Sequence, residues 1–416
     1  MSNKVSKLKP YLFILSGNLV GTVLQFLLLP VLTRIYSVDD FAMYSIIVNW
    51  SMVAYLFSTF RYDTPILQAI NQEEVSSLNT FCFIGSLLVA IVSFILLYFN
   101  ILSVSQEGFV FVLAVLTSCS FLGYSLVEVV CKNLLFFEDY KSVGYVRSII
   151  TVFTAISQIG LSYLFVSGEG LIFARLMAIF IVLIVSVIVI KKYSSIRTLF
   201  SFNLALNRIV FKKYINFPKV DFPSNLLNYV SSNLPYIFIP FYFGLVPEMG
   251  LYALVGRTLQ APTNLLRNSI KNVFHKEIAI RYQSGQFPFD YLLKTLWIIF
   301  FGCLPFSLLI VFFGAEIFSF LFSNEWNEAG EIASYAAFFF VTLLLRSPVQ
   351  SSFQIINLQK IYFKLEFIDF FVKVFFTFLS ILFYWNVLFW LKGFLIISTL
   401  MSFFIILLSL FLLRKH

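Results

Sequence analysis

The chain has 416 residues, is 60% hydrophobic and only 12% charged, and has a mean hydropathy of +0.92. A soluble domain would carry about 25% charged residues, and no stretch here is long and polar enough to form one. The net charge of +9 is distributed over alternating loops, which excludes a nucleic-acid surface and reads as membrane orientation.

The apolar runs last about 20 residues, as spanning helices require, whereas barrel strands are about 10 residues long and alternate. The fold class is therefore all-α and integral to a membrane. The first run, 11–32, is too long for a signal-peptide core and has no small-residue cleavage site before Thr33, so it is the first span. Eleven more follow at 41–62, 79–99, 108–131, 143–167, 170–190, 222–244, 250–274, 291–314, 329–357, 361–383 and 388–413. An even number puts both termini on one side. Lys4, Lys7 and Lys9 precede the first span, and Arg414 and Lys415 follow the last. The loops expected on the other side hold Asp39, Asp40, Glu107, Glu169, Glu248, Glu316, Glu325, Glu328 and Glu331 instead. This alternation predicts a multi-pass protein with both termini in the cytoplasm.

The longest polar segment, 191–221, carries seven bases before its single acid, Asp221. It divides the spans six and six, into an N-terminal lobe over 1–190 and a C-terminal lobe over 222–416. It is expected to be a linker held against anionic lipid heads. Trp326, Trp385 and Trp390 fall near the expected outer boundary, where indoles anchor spans. No outside loop has room for a catalytic domain. An internal repeat supports the two lobes: Asn18 stands 26 residues before Tyr44, and Asn225 stands 27 before Tyr252, with Pro30 and Pro240 between them.

Chemistry that needs cysteine or histidine has little to draw on. Cys82, Cys119, Cys131 and Cys303 show no Cys-x-x-Cys spacing, and the only histidines are His275 and His416. No metal, cofactor or catalytic triad is expected.

Polar stripes inside the spans carry more information. On the eighth span Arg257, Gln260, Asn264, Arg267, Asn268, Lys271 and His275 recur at spacings of three and four, along one side of a helix. The tenth repeats this with Arg346, Gln350, Gln354 and Asn357. Shorter stripes lie on the first (Asn18, Thr22, Gln25) and seventh (Asn225, Asn228, Ser232), and the second ends in Arg61, Tyr62 and Asp63. A polar face in a bilayer must turn to water or to other helices. Asp63 and Asp221 are the only acids near the striped spans, too few for Arg257, Arg267 and Arg346. Arg257 and Arg346 are therefore expected to face an anion, whereas Arg267 and Lys271 could also snorkel to the inner head groups. On the eleventh span Asp369 and Lys373 stand at i, i+4 with the acid first, the order that favours a local ion pair. Asp63, Asp221, Asp369 and Lys373 are also candidates for ion coupling. Glu128, Arg147 and Arg175 lie near span ends, where snorkelling suffices.

Four motifs in order, LLLPVLTRIYSVDDFAMYS (27–45), INFPKVDFPSNLLNYVSSNLP (215–235), GLYALVGRTLQAPTNLL (250–266) and SNEWNEAGEIASY (323–335), carry a resemblance. With the twelve spans, they resemble the Wzx-type flippases of the multidrug/oligosaccharidyl-lipid/polysaccharide exporter superfamily. One departure is Ala42, where that family usually has Gly. The resemblance implies two six-helix lobes related by a pseudo-twofold axis around a central cavity that alternates between inward- and outward-open states. It implies a polyprenyl-diphosphate-linked oligosaccharide as substrate, in the bacterial cytoplasmic (inner) membrane, for assembly of O-antigen, capsule or exopolysaccharide. Membrane lipids, a polysaccharide polymerase and a chain-length regulator are candidate partners.

In related flippases, arginines on spans one, two and eight hold the diphosphate, and the matching positions are Arg34, Arg61 and Arg257. Arg346, Arg267 and Lys271 are further candidates. Asn18, Gln25, Asn225, Asn228, Gln260, Asn264, Gln350 and Gln354 are candidates for the sugar. Three alternatives stand beside this reading. A drug/cation antiporter of the same superfamily would need cavity acids, and a lipid II flippase would have two further spans. A membrane glycosyltransferase or polysaccharide polymerase would need catalytic residues in a sizeable outer loop.

Overall fold

The computed structural model describes residues 21–99, 110–165, 168–193, 199–244, 246–282, 288–356 and 358–414, and all regular structure among them is helical. The chain forms two compact units, Met1–Val246 and Pro247–His416.

In the first unit, α1 (Gly21–Ile35) turns sharply into α2 (Val38–Thr59). The acidic turn of the first motif makes a reciprocal cap at the start of α2. The Ser37 hydroxyl accepts from the Asp40 amide at 3.2 Å, and the Ser37 amide donates to the Asp40 carboxylate at 2.9 Å. The other Asp40 oxygen accepts from the Gly168 amide at 2.5 Å, fastening the start of α6 (Gly168–Ile190) to the same turn. Ala42, in place of the family's usual Gly, is fully buried, so a methyl fits there.

The second span ends earlier than expected. Phe60 and Arg61 take φ of 42° and 64°, and this left-handed pair stops the helix. α3 (Gln72–Tyr98) begins well before the expected position 79 because Asn71 caps it, accepting from the Glu74 amide at 2.9 Å. α4 (Val110–Phe136) and α5 (Tyr140–Leu161) follow, and with α6 they bury Val127, Leu134, Val143, Val146 and Val182.

The linker is not featureless. Asn203 caps a short amphipathic helix, α7 (Leu204–Lys213). Its buried Val210 and the following Tyr214 join Tyr62, Ile66 and Leu78 in one cluster. Glu74 accepts from Lys213 at 2.5 Å and from Tyr214 at 2.9 Å, and the carboxylate pushes the Lys213 ammonium above its usual range.

The seventh expected span is broken. A π turn (Phe217–Asp221) leads into α8 (Phe222–Ser232), then α9 (Leu234–Phe238), then a second π turn (Ile239–Phe243). Pro218, Pro223, Pro235 and Pro240 lack amide donors, so regular α-helical bonding fails at each and the wider turns take over.

In the second unit, α10 (Pro247–Val255), a π turn (Gly256–Gln260) and α11 (Ala261–Tyr282) form the eighth span. The 34-residue α12 (Phe289–Phe322) outruns the expected end at 314, and a kink at Phe313 (φ −126°, ψ 19°) separates its last turns. α13 (Asn327–Ile355), α14 (Gln359–Leu382) and α15 (Val387–Leu413) complete the unit. Gly314 and Gly330 let α12 and α13 touch backbone to backbone, and a Cβ on either would strike the other strand of main chain. Ser334 donates to the Ile310 carbonyl at 2.9 Å across the same crossing. The Trp-x-x-Ala-Gly motif thus marks a close helix contact. Trp326 and Trp390 are fully buried among the helices rather than exposed as lipid-facing anchors.

Among the described residues, eight helices are long and apolar enough to cross a membrane. The other four expected spans fall short for local reasons. α1 enters the described residues only at Gly21, the seventh span is broken, α11 carries its charges, and so does α14.

Candidate functional site

The densest ionic cluster lies in the second unit, on α11, α13, α14 and α15. Arg346 on α13 is only 8% exposed, yet its donors are well occupied. Nη1 donates to the Asp369 Oδ2 at 3.1 Å and to the Ser402 hydroxyl at 3.5 Å, and Nε donates to the Tyr362 hydroxyl at 3.5 Å. Nη2 lies 3.9 Å from Glu366. Lys373, 2% exposed, donates to the same Asp369 Oδ2 at 3.0 Å and sits 5.8 Å from the Phe339 ring centre. The expected local pair forms, but one carboxylate oxygen serves two cations.

Arg346 does not lack acidic partners as expected. They stand on α14, in one periodic row of Tyr362, Glu366, Asp369 and Lys373 at spacings of three and four. Buried cations need such partners, because leaving water costs several kcal/mol per ion (order of magnitude).

Arg267 and Lys271, one turn apart on α11, are half-buried beside this network. Glu366 acts on both, and Arg346 and Tyr362 also act on Arg267. The Arg267 carbonyl accepts from the Ser347 hydroxyl at 3.3 Å, which ties α11 to α13. Arg267, Lys271, Arg346 and Lys373 stand against Glu366 and Asp369, a formal excess of two positive charges.

The remaining candidates of this unit lie outside that network. Arg257 sits in the π turn, half-buried. That turn adds a residue to the repeat, so Arg257 and Arg267 are out of the phase that strict α-helical spacing assumes. Gln260, Gln350 and Gln354 are half-buried and Asn264 is exposed; Asn357 lies outside the described residues.

In the first unit, Asp63 is fully buried just past the left-handed turn and accepts from the Tyr55 hydroxyl at 3.0 Å. Its other oxygen has no hydrogen-bond partner among the described residues, nor has the Arg61 Nε. Tyr55 packs edge-on against Tyr124 at 5.8 Å, and Arg175 lies 5.7 Å over the Tyr124 ring. Glu128 pairs with Arg147 at 3.2 Å. Snorkelling does not describe these side chains. Glu128 and Arg147 reach each other from adjacent helices, and Arg175 turns to a ring. The signal for Glu128–Arg147 was present, as opposite charges at similar depth on consecutive spans.

Arg34 is exposed and donates to the Pro30 carbonyl of its own helix at 3.1 Å. Gln25 is exposed, and Asn18 lies outside the described residues. The Asn225 side-chain amide donates to the Asp221 carbonyl one turn earlier, at 2.7 Å. Asn228 and Asp221 are half-exposed. Tyr229, between Asn225 and Ser232, donates to Asn49 at 3.3 Å, a polar tie between α8 and α2 that the stripes did not include. No group of three or more His, Cys, Asp or Glu side chains suited to a metal ion occurs among the described residues.

Comparison with solved structures identifies the fold. The chain is similar to the lipid II flippase MurJ in an inward closed conformation, with a TM-score of 0.72 and 16% identity over 98% of this chain and 87% of that one. It is also similar to an inward-facing multidrug resistance MATE family transporter of the MOP superfamily, with a TM-score of 0.61 and 13% identity over 97% and 95%. A MOP superfamily transporter from Pyrococcus furiosus gives 0.59 and 12% over 98% and 95%. The fold is therefore the one these transporters share, and with its long apolar helices the chain is a multi-pass membrane protein. The curated proteins contain no match to the sequence. The model of one sequence family, described as polysaccharide biosynthesis protein, matches residues 31–331, and the chain belongs to that family.

Proposed function

We propose that the chain is a flippase, not an enzyme, that carries polyprenyl-diphosphate-linked oligosaccharide from the cytoplasmic to the outer leaflet of the bacterial cytoplasmic membrane. It works by alternating access between six-helix lobes over 1–190 and 222–416, joined by the linker 191–221, with both termini in the cytoplasm. The family description and the superfamily fold support transport of a polysaccharide precursor. The observation that carries the substrate class is the formal excess of two positive charges at the cluster on α11, α13 and α14. A drug cation would be repelled there, and a dianionic diphosphate would be held.

Within the cluster the roles divide. Asp369 and Glu366 engage Arg346, so Arg267 and Lys271, half-buried at its edge, are the cations that meet the diphosphate. Arg257 and the first-unit arginines Arg34 and Arg61 are further diphosphate ligands. The half-buried amides of Gln260, Gln350 and Gln354 suit sugar hydroxyls. The product feeds assembly of O-antigen, capsule or exopolysaccharide.

Replacing Arg267 and Lys271 together by Gln removes the excess charge but keeps a polar, hydrogen-bonding side chain at each position. Charge-assisted hydrogen bonds contribute about 1.5–3 kcal/mol each, so transport should fall by tenfold or more. The measurement is surface polysaccharide restored in a flippase-deficient strain, normalised to membrane protein level. Wild-type restoration by the double variant would overturn the assignment. The exchange Arg267→Lys with Lys271→Arg should restore most of the loss, since the charges are kept.

Topology has its own test, in a background without the native cysteines. Asn327→Cys, exposed at the start of α13, should react with an impermeant thiol reagent from outside. Phe202→Cys, 88% exposed in the linker, should react only after the membrane is permeabilised. Labelling of both from outside would contradict the orientation.

A further inference from the structure

A groove of about 730 Å³ lies between α11 and α12, apart from the ionic cluster. That volume falls within the usual range of ligand sites, about 300–1,000 Å³. Its charged residues gather at the end where α11 stops and α12 begins, where Arg281, Asp290 and Lys294 line it. The Arg281 guanidinium lies 4.3 Å over the Tyr291 ring, which holds it at the groove mouth. Further along the helices the walls become apolar. Val273 is 65% exposed and Ile298 63%, both lining the groove. Val273 stands about 12 Å along α11 from Arg281, at 1.5 Å per residue. A charged mouth leading into an apolar channel has the shape and polarity of one membrane lipid.

Charge selects which lipid. Among the described residues that line it, two cations and one carboxylate give the mouth one positive charge in excess, which a zwitterionic lipid would not neutralise and a singly anionic one would. We propose that this groove binds an anionic phospholipid of the leaflet that the α11–α12 turn faces. Its phosphate contacts Arg281 and Lys294, and an acyl chain lies along Val273 and Ile298.

The test is native mass spectrometry of the full chain released from neutral detergent containing equimolar phosphatidylglycerol and phosphatidylcholine. The first bound lipid should be phosphatidylglycerol over phosphatidylcholine by about fivefold or more, as expected for basic side chains worth about 1 kcal/mol each at a lipid surface. Arg281→Ala with Lys294→Ala should bind the two lipids equally. Arg208→Ala with Lys212→Ala, which removes linker charges instead, should keep the preference. Loss of the preference in the linker variant, or its persistence in the groove variant, overturns the proposal. A third arm adds undecaprenyl phosphate. Displacement of phosphatidylglycerol from the groove at a lower concentration than phosphatidylglycerol itself requires would make the groove a site for the polyprenyl substrate, and would also overturn it.

Discussion

Exchanging the charges of Asp369 and Lys373 should destabilise the protein rather than leave it unchanged. For an isolated i, i+4 pair the exchange would cost only a few tenths of a kcal/mol, the difference between favourable and unfavourable order. The pair is not isolated. Arg346 Nη1 lies 3.1 Å from the same Asp369 oxygen that Lys373 reaches at 3.0 Å. Asp369→Lys would set an ammonium against the guanidinium where Asp369 and Lys373 are 3% and 2% exposed. Like charges about 4 Å apart repel by about 4 kcal/mol at an effective dielectric constant near 20. Arg346 also loses its nearest carboxylate, and removing one partner of a buried ion pair costs about 3–5 kcal/mol. The two figures describe overlapping effects, so a total of several kcal/mol is the expectation. The readout is the detergent-solubilised melting temperature together with the level of protein in the membrane. Asp369→Glu with Lys373→Arg, which keeps both signs, should remain folded. A charge-exchanged variant melting with the wild type would show that Arg346 does not depend on Asp369.

The two parts of that network differed in how far they could be read from the chain. Asp369 and Lys373 are four residues apart on one helix, so their contact follows from local geometry. Arg346 meets them only because α13 lies against α14, a neighbour relation that hydropathy does not encode. The same limit explains Trp326 and Trp390. An indole near the end of an apolar run suits a lipid-facing anchor and a packed interior equally well, and here both are buried.

The all-helical class and eight of the expected spans were legible, because roughly 20 apolar residues in a row have few alternatives in a bilayer. Helix interruptions were legible in kind but not in form. The prolines at 218, 223, 235 and 240 announce missing donors, yet the wide turns that replace them depend on the helices packed around them. One such turn at Gly256–Gln260 also breaks the regular stripe through Arg257. Capping was written plainly at Ser37–Asp40, whose Ser-x-x-Asp spacing is that of a reciprocal cap with Asp at the third position. The linker helix α7 was hidden by its high charge, since Lys212, Lys213 and Arg208 masked the single buried face formed by Val210.

Arg346 separates structural charge from substrate charge, and its variants should behave differently from those of Arg267 and Lys271. Arg346→Met leaves Asp369 with one cation fewer and Glu366 without its neighbour at 3.9 Å. A loss of about 3–5 kcal/mol is expected, enough to deplete the protein from the membrane. Adding Glu366→Gln removes the other carboxylate that Arg346 had balanced and leaves the Asp369–Lys373 pair intact. Replacing both members of a buried pair by neutral groups is often nearly neutral for stability, so the double variant should recover most of the lost melting temperature. It also leaves the excess charge of the cluster unchanged, because one cation and one carboxylate are removed together. Transport by Arg346→Met/Glu366→Gln should accordingly stay within a few-fold of wild type when normalised to protein level. The Arg267→Gln/Lys271→Gln variant, equally well folded, should lose it. The opposite pattern, with transport lost in the folded Arg346/Glu366 variant and kept in the α11 variant, would move the diphosphate contact from α11 to Arg346. A double-mutant cycle on melting temperature, read beside the transport assay, distinguishes the two outcomes.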